Sequence, residues 1–206
     1  GRDLGIKVLP CIHVYAGEVI VEDLVCGPKE FGRVRNKIAN DLACDPRSEA
    51  PCELVYDDEL GPIPDIEVNV VPVTGSAEGV IIADASVPYL GIGILEEPIV
   101  CTVREGYIVE MTGGDQADFL REHLESFSDR HCFNVAELGV GLNPNARLTG
   151  EMLEDEGVMG TIHIGIGTSH TLGGEIVAPT HYDLIMWEPT ITVDDEIVQR
   201  DKQVLV

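Results

Sequence analysis

Between Cys52 and Met111 the chain repeats one pattern, a short run rich in β-branched residues closed by Gly or Pro. ELVYDD, IEVNVVPV, GVIIADAS, PIVCTVR and GYIVEM follow one another in this way. β-branched side chains are stiff at χ1 and suit a pleated surface, while Gly and Pro end each run. The middle of the chain is therefore committed to strands. The first residues, GRDLGIKVLPCIHVYAGEVIVEDLVCG, alternate apolar and polar and predict one or two more.

Two segments change period. In KEFGRVRNKIANDLAC, Phe31, Val34, Ile38 and Leu42 recur at three- and four-residue spacing, which predicts a helix with one apolar stripe. GDQADFLREHLESF predicts a second helix, with Asp115 as N-cap and Ala117, Leu120 and Leu124 as its stripe. GTIHIGIG, YDLIMW and TITVDDEIV then return to strands. Strands, then helix, then strands predict an α+β fold, a strand-rich mixed or antiparallel sheet domain with few helices.

Composition narrows the function. The 206 residues are 44% hydrophobic but only 5% aromatic, so a core exists and rests on Val, Ile, Leu and Ala. The net charge of −24 repels phosphate backbones, which excludes nucleic acid as a partner. Only four of the 13 basic residues are Lys. That balance fits either a high-salt cytoplasm or an ordinary acidic enzyme. Six cysteines form no Cys-x-x-Cys pair, and reduced thiols in a cytoplasmic protein are expected. No apolar run reaches the roughly 18 residues of a membrane span, so no membrane partner is expected.

The C-terminal third gathers metal-binding residue types: Glu137 in AELGVGLN, His163 and His170 in TIHIGIGTSH, and His181 and Asp183 in THYDL. Residues two apart on a strand share a face, so His181 and Asp183 can grip one cation together. His163 lies between two Ile residues, a setting more usual for a satisfied core histidine. Three histidines and an Asp within 21 residues shift that balance toward a metal site. Imidazole with carboxylate suits Zn, Mn, Co or Fe better than Ca or Mg. Glu154, Asp155 and Glu156 read most simply as a charged face before a Gly turn, the alternative being groups that support the ligands from behind, while Asn143 and Arg147 are candidates to orient Glu137 or bind a substrate carboxylate.

The run AELGVGLNPNARLTGEMLEDEGVMGTIHIGIG, followed by GG and THYDL, resembles the aminopeptidase T family of metallopeptidases, with its relatives the 2,5-dihydroxypyridine 5,6-dioxygenases. IEVNVVPVTGSAEGVIIADAS extends the resemblance upstream, so that it covers most of residues 60–200. It implies a tail of an N-terminal α/β domain over residues 1–60, met partway through that domain, and a metal-binding catalytic domain over 61–206. It also implies a ligand set of Glu67, Glu137, His163, His181 and Asp183, with His170 at the position of the peptidases' Tyr ligand.

Two activities follow from the resemblance. The first expectation is an aminopeptidase in which one or two Zn, Co or Mn ions activate water against a small peptide, with Glu137 and His170 as catalytic groups. The alternative is a dioxygenase in which His163, His181 and Asp183 face one Fe(II) and open a small aromatic ring. A homodimer or higher homo-oligomer is expected in either case.

Overall fold

The computed structural model describes residues 11–15, 18–22, 67–193, 196–200 and 202–205. The predicted helix around Phe31–Leu42 and the strand at ELVYDD lie outside the described residues.

The strands are β1 (Cys11–Tyr15), β2 (Glu18–Glu22), β3 (Glu67–Val70), β4 (Glu78–Ala83), β5 (Ser86–Val87), β6 (Gly93–Ile94), β7 (Ile99–Arg104) and β8 (Tyr107–Thr112). Helix α1 (Gly114–Ser126) follows, then β9 (Val135–Gly141), the single turn α2 (Met152–Asp155), β10 (Thr161–Gly167) and β11 (His181–Trp187). The chain closes with β12 (Thr190–Val193), β13 (Glu196–Arg200) and β14 (Gln203–Val204). This is the expected α+β architecture. None of the described helices is long and apolar enough to cross a membrane.

Two sheets form. The larger runs β14-β13-β12-β2-β1-β4-β7-β8. It is mixed, because β1 pairs with β4, and β12 with β2, in parallel. The smaller runs β3-β9-β10-β11-β5-β6, and its pairs are all antiparallel. TITVDDEIV forms two strands, the antiparallel pair β12–β13. Between β7 and β8, Glu105 at φ 50° and Gly106 at φ 76° make the two-residue turn, the left-handed pair that matches hairpin twist.

The core lies between the sheets. Ile81, Ile99, Cys101 and Val103 of the larger sheet pack in one cluster with Leu138, Ile162, Ile164, Ile166, Leu184 and Met186 of the smaller. Ala117, Leu120 and Leu124 of α1 close it, as the helical stripe predicts. Each fully buried Ile or Leu contributes about 1.5–3 kcal/mol. Asp115 sits in the first turn of α1 rather than capping it, because the helix starts two residues earlier than such a cap implies, after Gly113.

Candidate metal centre

The smaller sheet turns one face to the core and builds the site on the other. In the antiparallel register, Glu137 on β9 lies opposite Gly165 on β10, and His163 lies opposite Gly139. Gly165 also faces Asp183 of β11, Gly167 faces His181, and Gly141 faces Glu67 of β3. Opposed residues point to one side, so the five expected ligands share a face, each set against a glycine.

The glycines are needed for space. A Cβ on Gly139 would lie 2.0 Å from His163 Nε2. A Cβ on Gly165 would lie 2.8 Å from Glu137 Cβ and 2.9 Å from His181 Nε2. The sheet is thus hollowed where the imidazoles lie across it.

Two donor groups share Glu137: Glu67, Glu137 and His163 form one, and Glu137, His181 and Asp183 the other. His163 Nε2 is 3.2 Å from Glu67 Oε2 and 3.8 Å from Glu137 Oε1. His181 Nε2 is 2.9 Å from Glu137 Oε2 and 3.5 Å from Asp183 Oδ1. His181 Nδ1 donates to the Thr168 carbonyl at 2.7 Å, which fixes its ring and leaves Nε2 for the cluster. His163 works through Nε2 alone, since its Nδ1 is buried without a hydrogen-bond partner. Asn69 donates to Glu67 Oε1 at 2.9 Å.

The electrostatics are those of a cation site. Burial disfavours the charged form of His163, but Glu137, Asp183 and Glu67 push it up to about 10. Burial is likewise overcome at His181, where Asp183, Glu137 and the Thr168 carbonyl push it up to about 11. Burial would raise Glu137 and Asp183, yet the two imidazoles hold both carboxyls below their usual range. Three carboxylates thus drive protons onto two imidazoles, and a divalent cation would replace those two protons charge for charge. The Asp183 Oδ1 atom, buried and without a hydrogen bond, completes a donor set of nitrogen and oxygen that fits such an ion.

His170 does not join these groups. It stands exposed in the 3₁₀ turn His170–Leu172, where its backbone N–H donates to the Ile176 carbonyl at 3.0 Å. Seven residues after His163 the chain has already left β10, and the turn carries the imidazole away from the sheet face. Asn143 instead builds its own turn, its Oδ1 accepting from Asn145 N at 2.9 Å, and Arg147 is exposed.

Two more residues enter, Tyr89, which the sequence did not mark, and Glu156 of the Glu154–Glu156 run. Tyr89, between β5 and β6, donates its hydroxyl proton to Asp183 Oδ2 at 2.5 Å. Glu156, just past α2, is buried with Oε1 3.1 Å from the same hydroxyl. Burial and the Asp183 charge push Glu156 up to about 9, and burial with both carboxyls raises the Tyr89 phenol as well. Glu154–Glu156 is therefore not a solvated charged face. Asp155 is fully buried and accepts from Ser86 Oγ at 2.6 Å and Thr149 N at 2.6 Å, which ties its loop to β5.

The family profile of NicX, 2,5-dihydroxypyridine 5,6-dioxygenase, matches residues 58–206. The chain is similar to the 2,5-dihydroxypyridine 5,6-dioxygenase of Pseudomonas putida KT2440, at 27% identity over 139 residues, or 62% of this chain and 39% of that protein. The solved structure of 2,5-dihydroxypyridine dioxygenase from the same strain superposes with a TM-score of 0.63 at 25% identity, covering 69% of this chain and 44% of that one. Wild-type AmpT from Thermus thermophilus superposes with a TM-score of 0.52 at 18% identity, covering 68% and 39%, a likeness of fold alone. The chain thus spans about two fifths of the length of these relatives. These matches overturn the first expectation, an aminopeptidase and hydrolase: the peptidase shares only the fold, while the family match and the curated relative are dioxygenases. The chain belongs to the NicX family, that of 2,5-dihydroxypyridine 5,6-dioxygenase.

Proposed function

We propose that this chain carries the metal centre of a ring-opening dioxygenase, with Fe(II) as the ion and 2,5-dihydroxypyridine or a close dihydroxylated nitrogen heteroaromatic as substrate. The observation that supports it is the pair of imidazoles, His163 and His181, meeting at the shared carboxylate of Glu137, with Asp183 beside His181, on one glycine-hollowed face. Two histidines and a carboxylate that leave positions open suit non-haem Fe(II) oxygenases.

His163, His181 and Asp183 would hold the ion, with Glu137 between the two imidazoles. Bound there, Fe(II) supplies a redox-active site where O₂ and the ring meet. His181 is kept in one orientation by Thr168, and His163 by its seat over Gly139. Glu137 is the group placed to accept the proton that a substrate hydroxyl gives up on binding. The balance needs no external reductant: the ring supplies four electrons, one C–C bond breaks, and both oxygen atoms enter the product.

The test is anaerobic loading with Fe(II), followed by air and 2,5-dihydroxypyridine. One O₂ should disappear per ring lost, and Zn(II)-loaded protein should do nothing. Stoichiometrically bound Fe(II) with no loss of ring absorbance would overturn the reading.

A further inference from the structure

The two oxygens of Asp183 have different surroundings. Oδ1 is buried without a hydrogen bond and lies 3.5 Å from His181 Nε2, on the side of the donor cluster. Oδ2 accepts the Tyr89 hydroxyl at 2.5 Å. We propose that Tyr89 is a positioning residue that reserves Oδ2, so that Asp183 offers the cluster a single oxygen, Oδ1. The inference rests on the metal site proposed above.

Tyr89 is built to hold this position. Its backbone N–H donates to the Val87 carbonyl at 2.8 Å and its carbonyl accepts from Ile92 N at 2.9 Å, which fixes the turn between β5 and β6. Its ring rests on that of Tyr182, with centroids 5.0 Å apart. A phenol has one proton, and the shorter contact, to Asp183, takes it. Glu156 Oε1 lies 3.1 Å from the same hydroxyl, the longer of its two contacts.

The consequence is chemical. A carboxylate can bind a metal through one oxygen or through both. If Oδ2 were released, Asp183 could chelate and fill one more coordination position. A dioxygenase centre must leave positions for O₂ and for substrate. Tyr89 keeps one of them open without touching the ion.

Co(II) reports this without turnover, because its visible absorption changes with coordination. Wild-type protein and the Tyr89→Phe variant are loaded with Co(II) and titrated with azide as an exogenous ligand. Tyr89→Phe should keep or tighten Co(II) affinity while its azide Kd rises about tenfold or more, the scale of effects from groups behind a ligand. The Glu156→Gln variant leaves the shorter Tyr89–Asp183 contact in place and should bind azide within about threefold of wild type. An unchanged azide Kd in Tyr89→Phe overturns the proposal, as does weaker Co(II) binding with azide unaffected, the mark of a merely structural role. An equal azide loss in Glu156→Gln overturns it too. Failure of wild-type protein to take up Co(II) would remove the metal site itself, an outcome distinct from all of these.

Discussion

Strand β10 is buried at every one of its seven residues, but its two faces are buried by different means. On one face Ile162, Ile164 and Ile166 fill the core between the sheets. On the other, His163 points into the donor cluster, the side chains of Glu137 and His181 cross over Gly165, and the Thr180 backbone lies against Gly167. The apolar face tolerates exchange of volume, because hydrophobic groups of similar size repack at small cost. The site face tolerates no added atom, because the His181 ring and Glu137 already occupy the space of a Cβ at Gly165, and the Thr180 carbonyl that at Gly167. Equal burial therefore marks a core on one side and a functional cradle on the other.

The largest expected effect tests that contrast directly. Gly139→Ala adds one carbon at 2.0 Å from His163 Nε2, and the imidazole must move. Metal affinity should fall about a hundredfold or more, beyond what loss of a supporting group costs. Ile164→Ala on the core face should do the reverse. It should cost about 2–5 kcal/mol of stability in urea unfolding while the folded protein binds metal as before. If both variants lost stability and affinity in the same proportion, the division between the faces would be wrong.

A smaller effect sharpens the electrostatics of the site face. In metal-free protein, His163 and His181 titrate near 10 and 11, above an ordinary imidazole at about 6.5. A raised pKa stabilises the fold below the unfolded value, and that stability is lost as pH climbs through the folded one. Melting temperature with chelator present should therefore fall between about pH 6.5 and 11. Glu137 and Asp183 are shifted the other way, so their contribution holds above about pH 4 and is lost below it. Added divalent metal should flatten the alkaline fall, because the ion takes the place of both protons. Thermal melts across pH, with and without metal, decide this, and an alkaline limb unaffected by metal would count against imidazole ligation.

The smallest effect concerns the surface outside both faces. The charge of −24 should make melting temperature rise by a few degrees between about 0.1 M and 2 M KCl, as screening relieves repulsion. A flat or falling curve would reject a salt-adapted surface.

The strands and α1 were legible because their signals are local: β-branched runs, and apolar residues at helical spacing. Val135–Gly141 was not, since the two glycines in AELGVGLN weaken the signal of a strand. Only the tertiary structure explains them: the His163 ring lies against Gly139, and the Val158 and Glu156 carbonyls lie against Gly141. The repeated form, Glu-x-Gly-x-Gly on β9 against His-x-Gly-x-Gly on β10, was the available signal. His181 and Asp183 were legible from their two-residue spacing, and Glu67, Glu137 and His163 through the resemblance. Tyr89 and Glu156 come from a turn and a helix end, where no periodicity fixes the direction of a side chain. His170 failed for the same reason, because a seven-residue offset reaches past the end of β10.

Strand β3 is four residues long and, among the described residues, lies at the edge of its sheet, hydrogen-bonded to β9 alone. Its Glu67 reaches across β9 to His163 on the next strand in. An ion shared by these side chains would bind the edge to the sheet centre by a route independent of the backbone ladder. Edge strands are among the first parts of a fold to fray. The amide protons of Val68 and Val70 should therefore exchange with solvent more slowly as the centre fills, so that the outermost strand keeps a record of metal occupancy.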